Sequence, residues 1–316
     1  MSRVAPGGPR YLVGLIGAEI GTSLSPQLHE READELGLRY LYQLIAIDEL
    51  GVPADDIGSL LASARLMGFR GLNITHPCKQ VVVRHLDDLS PAAAALGAVN
   101  TVVFADGRMT GHNTDSSGFE AAFGRGLPGA ARRHVVVLGA GGAGAAVAHA
   151  VLRLGAGRLT ITDVVSSRAQ DLAAALRARF APAGVRAVDP DRLAAAMADA
   201  DGLVNATPVG MEPQTGMPLP EHLLRPGMWV ADIVYRPMET ELLRHARDRG
   251  CQTLSGSGML VFQAADAFRL FTGRAPDIER MLRHLAALTG DGAGEAVPGA
   301  GDAEPQHGQD RHVPAP

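Results

Sequence analysis

Short apolar runs and longer Ala- and Leu-rich runs take turns along most of the chain. The run His134-Val-Val-Val-Leu138, apolar after its first residue, is typical of a strand that is buried on both faces of a parallel sheet. The segment Ala145–Leu154 contains no helix breaker and is followed by Gly155, a pattern that indicates a helix closed by a glycine. Repetition of this strand and helix pattern predicts an α/β protein.

The predicted elements form two groups that meet near residue 115. Residues 11–115 contain their own strands and helices, so we expect them to form a separate α/β domain. Residues 116–256 are predicted to form a doubly wound, Rossmann-type domain of about six strands. Two helices within residues 257–288 follow with no strand between them, and we expect them to return to the first domain. Residues 289–316 contain few large apolar side chains, so we expect a disordered tail.

Single elements follow from the same pattern. Strands are predicted at Tyr11–Ile16, Tyr40–Ile47, Phe69–Ile74, Val99–Phe104, Met109–His112, His134–Leu138, Arg158–Thr162, Val185–Val188, Gly202–Asn205, Trp229–Tyr235 and Cys251–Leu254. A helix over Pro77–Leu86 is predicted between the third and fourth of these strands.

A glycine-rich turn joins the strand His134–Leu138 to the helix that follows it. The turn consists of Gly139, Ala140, Gly141, Gly142, Ala143 and Gly144, and so contains the G-x-G-x-x-G pattern between a strand and a helix. In that setting the first glycine permits a tight turn, the second lets the backbone approach a pyrophosphate, and the third lets the helix pack closely. Free N–H groups at the helix start then face the phosphates. The turn therefore indicates dinucleotide binding.

An acidic residue at the end of the next strand supports this interpretation. Asp163 lies nineteen positions after Gly144, close to the spacing of about 20 residues expected of an acid that binds the adenosine ribose. Its negative charge would repel a 2′-phosphate, so we predict NAD rather than NADP. The alternative is that Asp163 only caps the helix beginning near Ser166.

Composition and charge narrow the classes of function. Of the 316 residues, 46% are hydrophobic and 20% are charged, with a formal net charge of -5. The lack of a basic run and an aromatic content of 4% argue against nucleic-acid binding, and no apolar run reaches the roughly 18 residues of a membrane span. Cys78 and Cys251 show neither a metal-ligand spacing nor a disulfide framework, so we expect no metal and a cytoplasmic location. The oligomeric state is not indicated, and a homodimer stays open.

Four polar motifs stand where predicted strands end or helices begin. They are Thr22–Ser25, Asn73–Lys79, Asn100-Thr101 and Asn113–Asp115. A lysine beside a helix start is unfavourable because the helix dipole there attracts anions, which suggests that Lys79 serves chemistry or a carboxylate ligand. Three of the motifs also have a structural alternative. Ser25 and Asp115 can cap the helices that begin beside them, and Lys79 can be a solvated surface residue.

Taken together, these motifs resemble the shikimate/quinate dehydrogenase family. The resemblance is carried by Ser23–Pro26, Asn73–Lys79, Ala98–Thr101, Asn113–Asp115, Gly139–Gly144, Asn205–Pro208, Asp232–Tyr235 and Gly258–Gln263. It implies that the first domain and the last two helices bind a small polyhydroxy cyclic carboxylate, shikimate or quinate, in a cleft that faces the nicotinamide. We therefore expect an NAD(P)-dependent alcohol dehydrogenase.

The resemblance also implies roles for single residues. Lys79 and Asp115 fall on the catalytic pair of the family. Substrate-binding positions hold these two together with Ser23, Ser25, Asn73, Thr75, Asn100, Tyr235 and Gln263. Positions near the cofactor hold Asn205, Ala206, Thr207, Ile233 and Gly256, besides the glycine-rich turn and Asp163.

By this resemblance the reaction is the reversible oxidation of the C3 hydroxyl of the ring. The carbon gives a hydride to the nicotinamide while the hydroxyl loses a proton, so a base must lie within about 3 Å of that oxygen. Lys79 is the candidate, and Asp115 beside it would tune how firmly the amine holds its proton.

Departures from the commonest family pattern predict the subtype. NADP-linked members typically carry an Asn-Arg-Thr type run after the second dinucleotide strand, whereas this chain has Asp163, Val164 and Val165. Both Ser23 and Ser25 are present, as in members that bind shikimate, so we expect use of either substrate with NAD. The open alternatives are an NADP-linked biosynthetic shikimate dehydrogenase, an aminoshikimate dehydrogenase and, outside the enzymes, a ligand-sensing regulator on the same fold.

Overall fold

The computed structural model describes residues 8–211 and 214–290. The disordered tail was expected over residues 289–316. Its start was wrong, because the last helix ends at Thr289 and Gly290 is its C-cap; residues 291–316 lie outside the described part of the chain. In the described part, no helix is long and apolar enough to cross a membrane.

The N-terminal domain, residues 10–112, is built on a mixed sheet. Its elements are β1 (Arg10–Gly17), α1 (Ser25–Glu35), β2 (Arg39–Ala46), a 3₁₀-helix (Ala54–Asp56), α2 (Ile57–Leu66), β3 (Gly71–Ile74), α3 (Cys78–Val81), a 3₁₀-helix (Val82–His85), β4 (Asp88–Leu89), α4 (Pro91–Leu96), β5 (Thr101–Ala105) and β6 (Arg108–His112). The strand order is β2-β1-β3-β5-β6-β4, in which β1 is parallel to β2 and β3 whereas β5 is antiparallel to β3 and β6. The predicted helix Pro77–Leu86 is divided into α3 and a 3₁₀-helix, and β4 and α4 were not predicted.

The Rossmann-type domain, residues 114–254, carries a parallel sheet. Its elements are α5 (Thr114–Gly126), β7 (His134–Leu138), α6 (Gly142–Arg153), β8 (Arg158–Thr162), α7 (Ser166–Arg179), β9 (Gly184–Ala187), a 3₁₀-helix (Pro190–Arg192), α8 (Leu193–Met197), β10 (Gly202–Asn205), a 3₁₀-helix (Glu221–Leu223), β11 (Trp229–Asp232), α9 (Glu241–Asp248) and β12 (Gln252–Leu254). The strand order is β12-β11-β10-β7-β8-β9, and every neighbouring pair is parallel. The chain reverses direction of winding between β7 and β10, which is where open α/β sheets bind nucleotides.

Alternating side chains of β7 fill the core on both faces of this sheet. Val135 and Val137 lie in the cluster beneath α5, α6 and α7, whereas Val136 and Leu138 lie in the cluster beneath α8 and α9. Successive residues of a strand point to opposite faces, so an unbroken apolar strand must be covered by helices on both sides. This arrangement confirms the predicted doubly wound α/β class.

The last two helices, α10 (Gly256–Thr272) and α11 (Ile278–Thr289), return to the N-terminal domain. Phe271 of α10 packs against Val13 and Tyr42, and its ring fills the space that a Cβ atom on Gly71 would need. On its other side α10 approaches α5, because Gly118 leaves room for the backbone of Gln263. The helix α10 therefore lies between the two domains and contacts both.

Candidate active site

The glycine-rich turn meets the lysine motif of the N-terminal domain. A Cβ atom added at Gly142, the first residue of α6, would stand 3.3 Å from Cδ and 3.4 Å from Cβ of Lys79. The stem of Lys79 therefore lies against the start of the helix that the turn opens, rather than pointing into bulk solvent. The expected substrate and dinucleotide sites thus share one cleft.

An amine and a carboxylate face each other in this cleft. Lys79 Nζ donates to Asp115 Oδ2 over 2.7 Å, and the two side chains are only 17% and 9% exposed. The second oxygen, Oδ1, accepts a hydrogen bond of 2.9 Å from the amide of Asn100. These bonds fix the carboxylate while leaving further donor positions of the lysine ammonium free for another oxygen.

The structure rules out helix capping as the task of Asp115. Helix α5 begins at Thr114, and Asn113 is its N-cap, accepting hydrogen bonds from the backbone N–H groups of Asp115 and Ser116. Because Asn113 supplies the capping oxygen, the carboxylate of Asp115 is free to turn toward Lys79. The capping alternative is therefore wrong for this residue.

The capping alternative is also wrong for Ser25. Helix α1 begins at Ser25 after Leu24, and it has no side-chain cap. Ser23 Oγ accepts a hydrogen bond of 3.3 Å from the backbone N–H of Ser25. Burial raises the pKa of the Tyr42 phenol, and the nearby hydroxyl of Ser25 opposes that shift.

A buried hydrogen-bond network leads from this phenol to the amine and carboxylate pair. The hydroxyl of Tyr42 donates to Asn73 Oδ1 over 2.8 Å, and Asn73 Nδ2 donates to Thr101 Oγ1 over 3.0 Å. Thr101 then donates to Asn100 Oδ1 over 3.0 Å, and Asn100 donates to Asp115. Each member holds the next, so the network fixes Asp115 in a low-dielectric interior.

The other expected substrate contacts lie in three separate parts of the chain. Thr75 is half-buried, and its methyl group occupies the space beside Gly17. Tyr235 is half-buried against the apolar cluster of α1, α10 and α11. Gln263 lies on α10, where its side-chain amide donates to the oxygen of Leu260 over 3.1 Å. Their contact with a substrate stays a prediction.

The geometry of the glycine-rich turn agrees with the task expected of each glycine. Gly139 has a φ of 96°, in the left-handed region, and a Cβ there would be 2.7 Å from the oxygen of Ala206. A Cβ on Gly144 would be 2.1 Å from the oxygen of Gly139, so only glycine lets α6 pack this closely. Gly141 has no such neighbour and faces open space, where a pyrophosphate can approach.

The carboxylate of Asp163 organises the glycine-rich turn and the residues before α7. Its Oδ2 accepts a hydrogen bond of 2.7 Å from the N–H of Ala140, and its Oδ1 accepts one of 2.8 Å from the N–H of Val165. Two carboxylate oxygens offer about four acceptor positions, so two remain for ribose hydroxyls. The capping alternative is wrong for Asp163, because the N-cap residue of α7 is Val165 and this helix has no side-chain cap.

Asn205 lies behind the expected cofactor site rather than in it. Its side chain is 0% exposed; it donates to Val209 and Asp232 and accepts from Thr207. With its hydrogen bonds made inside the protein, Asn205 shapes the loop that carries Ala206 and Thr207. Nearby, the backbone of Ile233 lies close to Gly256. A Cβ atom added at Gly256 would stand 2.4 Å from the backbone oxygen of Ile233.

Two signals of this site were missed in the sequence. Lys and Arg together number 29, and every one except Lys79 is arginine. A chain that uses arginine everywhere else needs an amine, with its single transferable proton, at this position. Tyr42 was missed because it is an ordinary strand residue in sequence, and only the fold brings it beside Asn73.

Models of known families match in three stretches. Residues 15–102 match the shikimate dehydrogenase substrate binding domain, and residues 256–285 match the shikimate 5'-dehydrogenase C-terminal domain. Residues 135–252 match the saccharopine dehydrogenase NADP binding domain.

Whole-chain relatives give the same answer. A shikimate dehydrogenase (NADP(+)) from Streptomyces avermitilis is 62% identical over 283 residues, covering 90% of this chain and 97% of the relative. A quinate/shikimate dehydrogenase (NAD(+)) from Corynebacterium efficiens is 46% identical over 278 residues, covering 88% and 98%. The solved structure of quinate dehydrogenase from Corynebacterium glutamicum in complex with NAD matches with a TM-score of 0.82 and 46% identity, covering 88% of this chain and 99% of that one.

The protein has a substrate domain, a Rossmann-type domain and an amine–acid pair between them. These features define a two-domain, nicotinamide-dependent dehydrogenase. The chain belongs to the shikimate dehydrogenase family of oxidoreductases.

Proposed function

We propose that this protein oxidises shikimate and quinate reversibly at the C3 hydroxyl, with NAD as the preferred cofactor. In this proposal, residues 11–115 and the helices within 257–288 bind the substrate, and residues 116–256 bind the dinucleotide. The proposal rests mainly on the pair Lys79 and Asp115, whose charged atoms are 2.7 Å apart, with the stem of Lys79 against the first residue of α6.

Lys79 is the proton-transfer group in this mechanism. When bound, the nicotinamide accepts the hydride of the substrate carbon. As the hydride leaves, the substrate hydroxyl gives its proton to Lys79 Nζ, and in the reverse direction the ammonium returns that proton to the ketone oxygen. Asp115 keeps the amine directed into the cleft and balances its charge, and Asn100 holds Asp115 from behind.

The substrate is held by groups that hydrogen-bond hydroxyls and a carboxylate. In this proposal the substrate contacts, besides the catalytic pair, are Ser23, Ser25, Thr75, Asn100, Tyr235 and Gln263. Asn73, whose side chain bonds to Tyr42 and Thr101, supports this surface from below. A polyol matches such a site because each hydroxyl can donate and accept.

Electrostatics at the end of β8 favour NAD. Asp163 stands at the expected adenosine ribose, and Asp189, which follows β9, accepts a hydrogen bond from Ser166 Oγ over 2.6 Å at the same edge. Val164 is 93% exposed at the position where NADP-linked members typically place arginine. Two acids and an apolar side chain do not suit a 2′-phosphate, which carries a charge of about -2.

A second candidate is an NADP-linked shikimate dehydrogenase. The relative with 62% identity is named for NADP(+), which favours this candidate. The relative with 46% identity is named for NAD(+), and the solved structure with 46% identity contains NAD.

Steady-state rates for shikimate, quinate and aminoshikimate, each with NAD and NADP, test the proposal. We expect turnover of the first two and a kcat/KM at least about tenfold higher with NAD. A tenfold preference for NADP would replace the proposal by the second candidate, and a preference for aminoshikimate would overturn the substrate assignment.

A further inference from the structure

An arginine joins the two domains beside the expected substrate site. Arg236 follows Tyr235 in the loop after β11, and its Nη1 atom donates a hydrogen bond of 2.7 Å to the backbone oxygen of Thr22. Thr22 directly precedes Ser23, so the bond links the Rossmann-type domain to the loop that carries the two serines. Tyr235 and Leu24 pack against the same apolar cluster, which keeps the two loops together.

The hydrogen bond to Thr22 does not neutralise the positive charge of Arg236. Its side chain is exposed, and among the described residues the hydrogen bond goes to a neutral backbone oxygen rather than to a carboxylate. A guanidinium has five N–H donors in a planar fork that matches the two oxygens of a carboxylate. One donor is used on Thr22, and the fork keeps others for an anion.

The remaining groups of the expected substrate site provide no net positive charge. Lys79 is balanced by Asp115 at 2.7 Å, and the other expected contacts are hydroxyl, phenol and amide groups. Shikimate and quinate each carry one carboxylate at neutral pH. Moving a carboxylate out of water without a countercharge is unfavourable.

The phenol of Tyr235 shows that the guanidinium acts on this region. Burial raises the pKa of Tyr235, and the positive charge of Arg236 opposes that shift. The two neighbouring side chains therefore bring a hydroxyl donor and a cation close together beside the loop that carries the serines.

Resting on the proposed function, we propose that Arg236 determines specificity for an acidic substrate by pairing with its carboxylate. Its hydrogen bond to the backbone oxygen of Thr22 keeps the guanidinium beside the loop that carries the serines. The expected consequence is a KM effect confined to substrates that carry a carboxylate, because Arg236 lies apart from the proton-transfer pair.

The test compares shikimate with its neutral methyl ester, measured as a substrate or as a competitive inhibitor. In Arg236→Met, we expect the KM for shikimate to rise about tenfold with kcat changed less than about twofold, while the constant for the ester changes less than about twofold. Arg236→Lys keeps the charge and should recover most of the affinity for shikimate. Arg177→Met, on the exposed face of α7, is the matched control and should change neither constant.

Equal changes for acid and ester would overturn the proposal, since the side chain would then act only as a structural link. An unchanged KM for shikimate would overturn it as well. Arg236→Gln replaces the methionine variant if thermal melts show that the latter does not fold. If the wild-type protein neither binds nor oxidises shikimate or quinate, both the proposed function and this inference are wrong. If the wild type is active but substitution of Arg236 changes neither constant, only this inference is wrong.

Discussion

The carboxylate of Asp163 offers a direct way to change the choice of cofactor. We predict that Asp163→Asn removes most of the preference for NAD over NADP. The substitution deletes the negative charge while keeping an oxygen that can accept one of the two backbone hydrogen bonds, from Ala140 or Val165. The fold of the glycine-rich turn should therefore persist.

The size of the effect follows from Coulomb's law. Two unit charges about 4 Å apart repel by about 1 kcal/mol in water and about 4 kcal/mol at the screening typical of a protein surface. Asp163 is half-buried, so a 2′-phosphate beside it should be disfavoured by about 2 kcal/mol, or roughly 30-fold in kcat/KM. Loss of one backbone hydrogen bond should lower the stability of the variant by about 1 kcal/mol.

The assay is kcat/KM for shikimate oxidation with NAD and with NADP, at low and high salt. We expect the ratio to fall from roughly 30 to below about 3 in Asp163→Asn, mainly through better use of NADP. Asp171→Asn, on the exposed surface of α7, is the control for a general loss of negative charge. A ratio that stays the same in Asp163→Asn, or a wild type that prefers NADP, would refute the electrostatic reasoning.

Three further predictions concern the supports of the site. Tyr42→Phe removes the donor to Asn73 and should lower kcat/KM about fivefold to tenfold in steady-state assays without weakening NADH binding; an unchanged kcat/KM would show that the network does not matter. Glu32 is 0% exposed and forms an ion pair with Arg280 of α11. Glu32→Gln should therefore lower the free energy of unfolding by about 3 kcal/mol. An unchanged midpoint in urea unfolding would show that this ion pair does not stabilise the fold. Burial lowers the pKa of His149 to about 4. Below about pH 6.5 the unfolded chain therefore binds a proton at this histidine that the folded chain does not bind. The free energy of unfolding should fall by up to about 3 kcal/mol as the pH drops from about 6.5 to 4. His149→Gln should flatten this part of the stability curve relative to wild type.

Most strands buried on both faces could be predicted from the sequence almost residue by residue, but the prediction Trp229–Tyr235 was three residues too long, because β11 ends at Asp232. The bounds His134–Leu138, Arg158–Thr162 and Gly202–Asn205 agree with the structure, because each apolar run ends at a charge, a glycine or a turn residue. The two-residue strand β4 gives no such signal. Helix α4 does start with Ser90 and Pro91, a recognisable cap, but it is only six residues long.

Capping could not be decided from the sequence because neighbouring residues competed for it. In the motif Asn113–Asp115, the first and third residues are both good N-caps, and the choice depends on where α5 begins. The structure gives that task to Asn113, whose own amide is anchored on the oxygen of Ala98 over 3.0 Å. This anchor comes from a part of the chain that local patterns do not reach.

Residues whose role depends on tertiary contacts could not be predicted from the sequence either. Tyr42 and Arg236 carry no motif, and each matters because the fold brings a partner to it: Asn73 in one case and Thr22 in the other. Asn205 shows the reverse, since its motif suggested a cofactor contact while its burial shows that it orders a loop.

The turnover of Lys79→Arg tests the central claim most directly. The variant keeps a positive charge that can pair with Asp115, but a guanidinium does not release its proton at neutral pH. We predict that kcat for shikimate oxidation falls at least about 100-fold while the affinity for NADH, followed by fluorescence, stays within about twofold. A variant that turned over within a fewfold of wild type would contradict the assignment of proton transfer to Lys79.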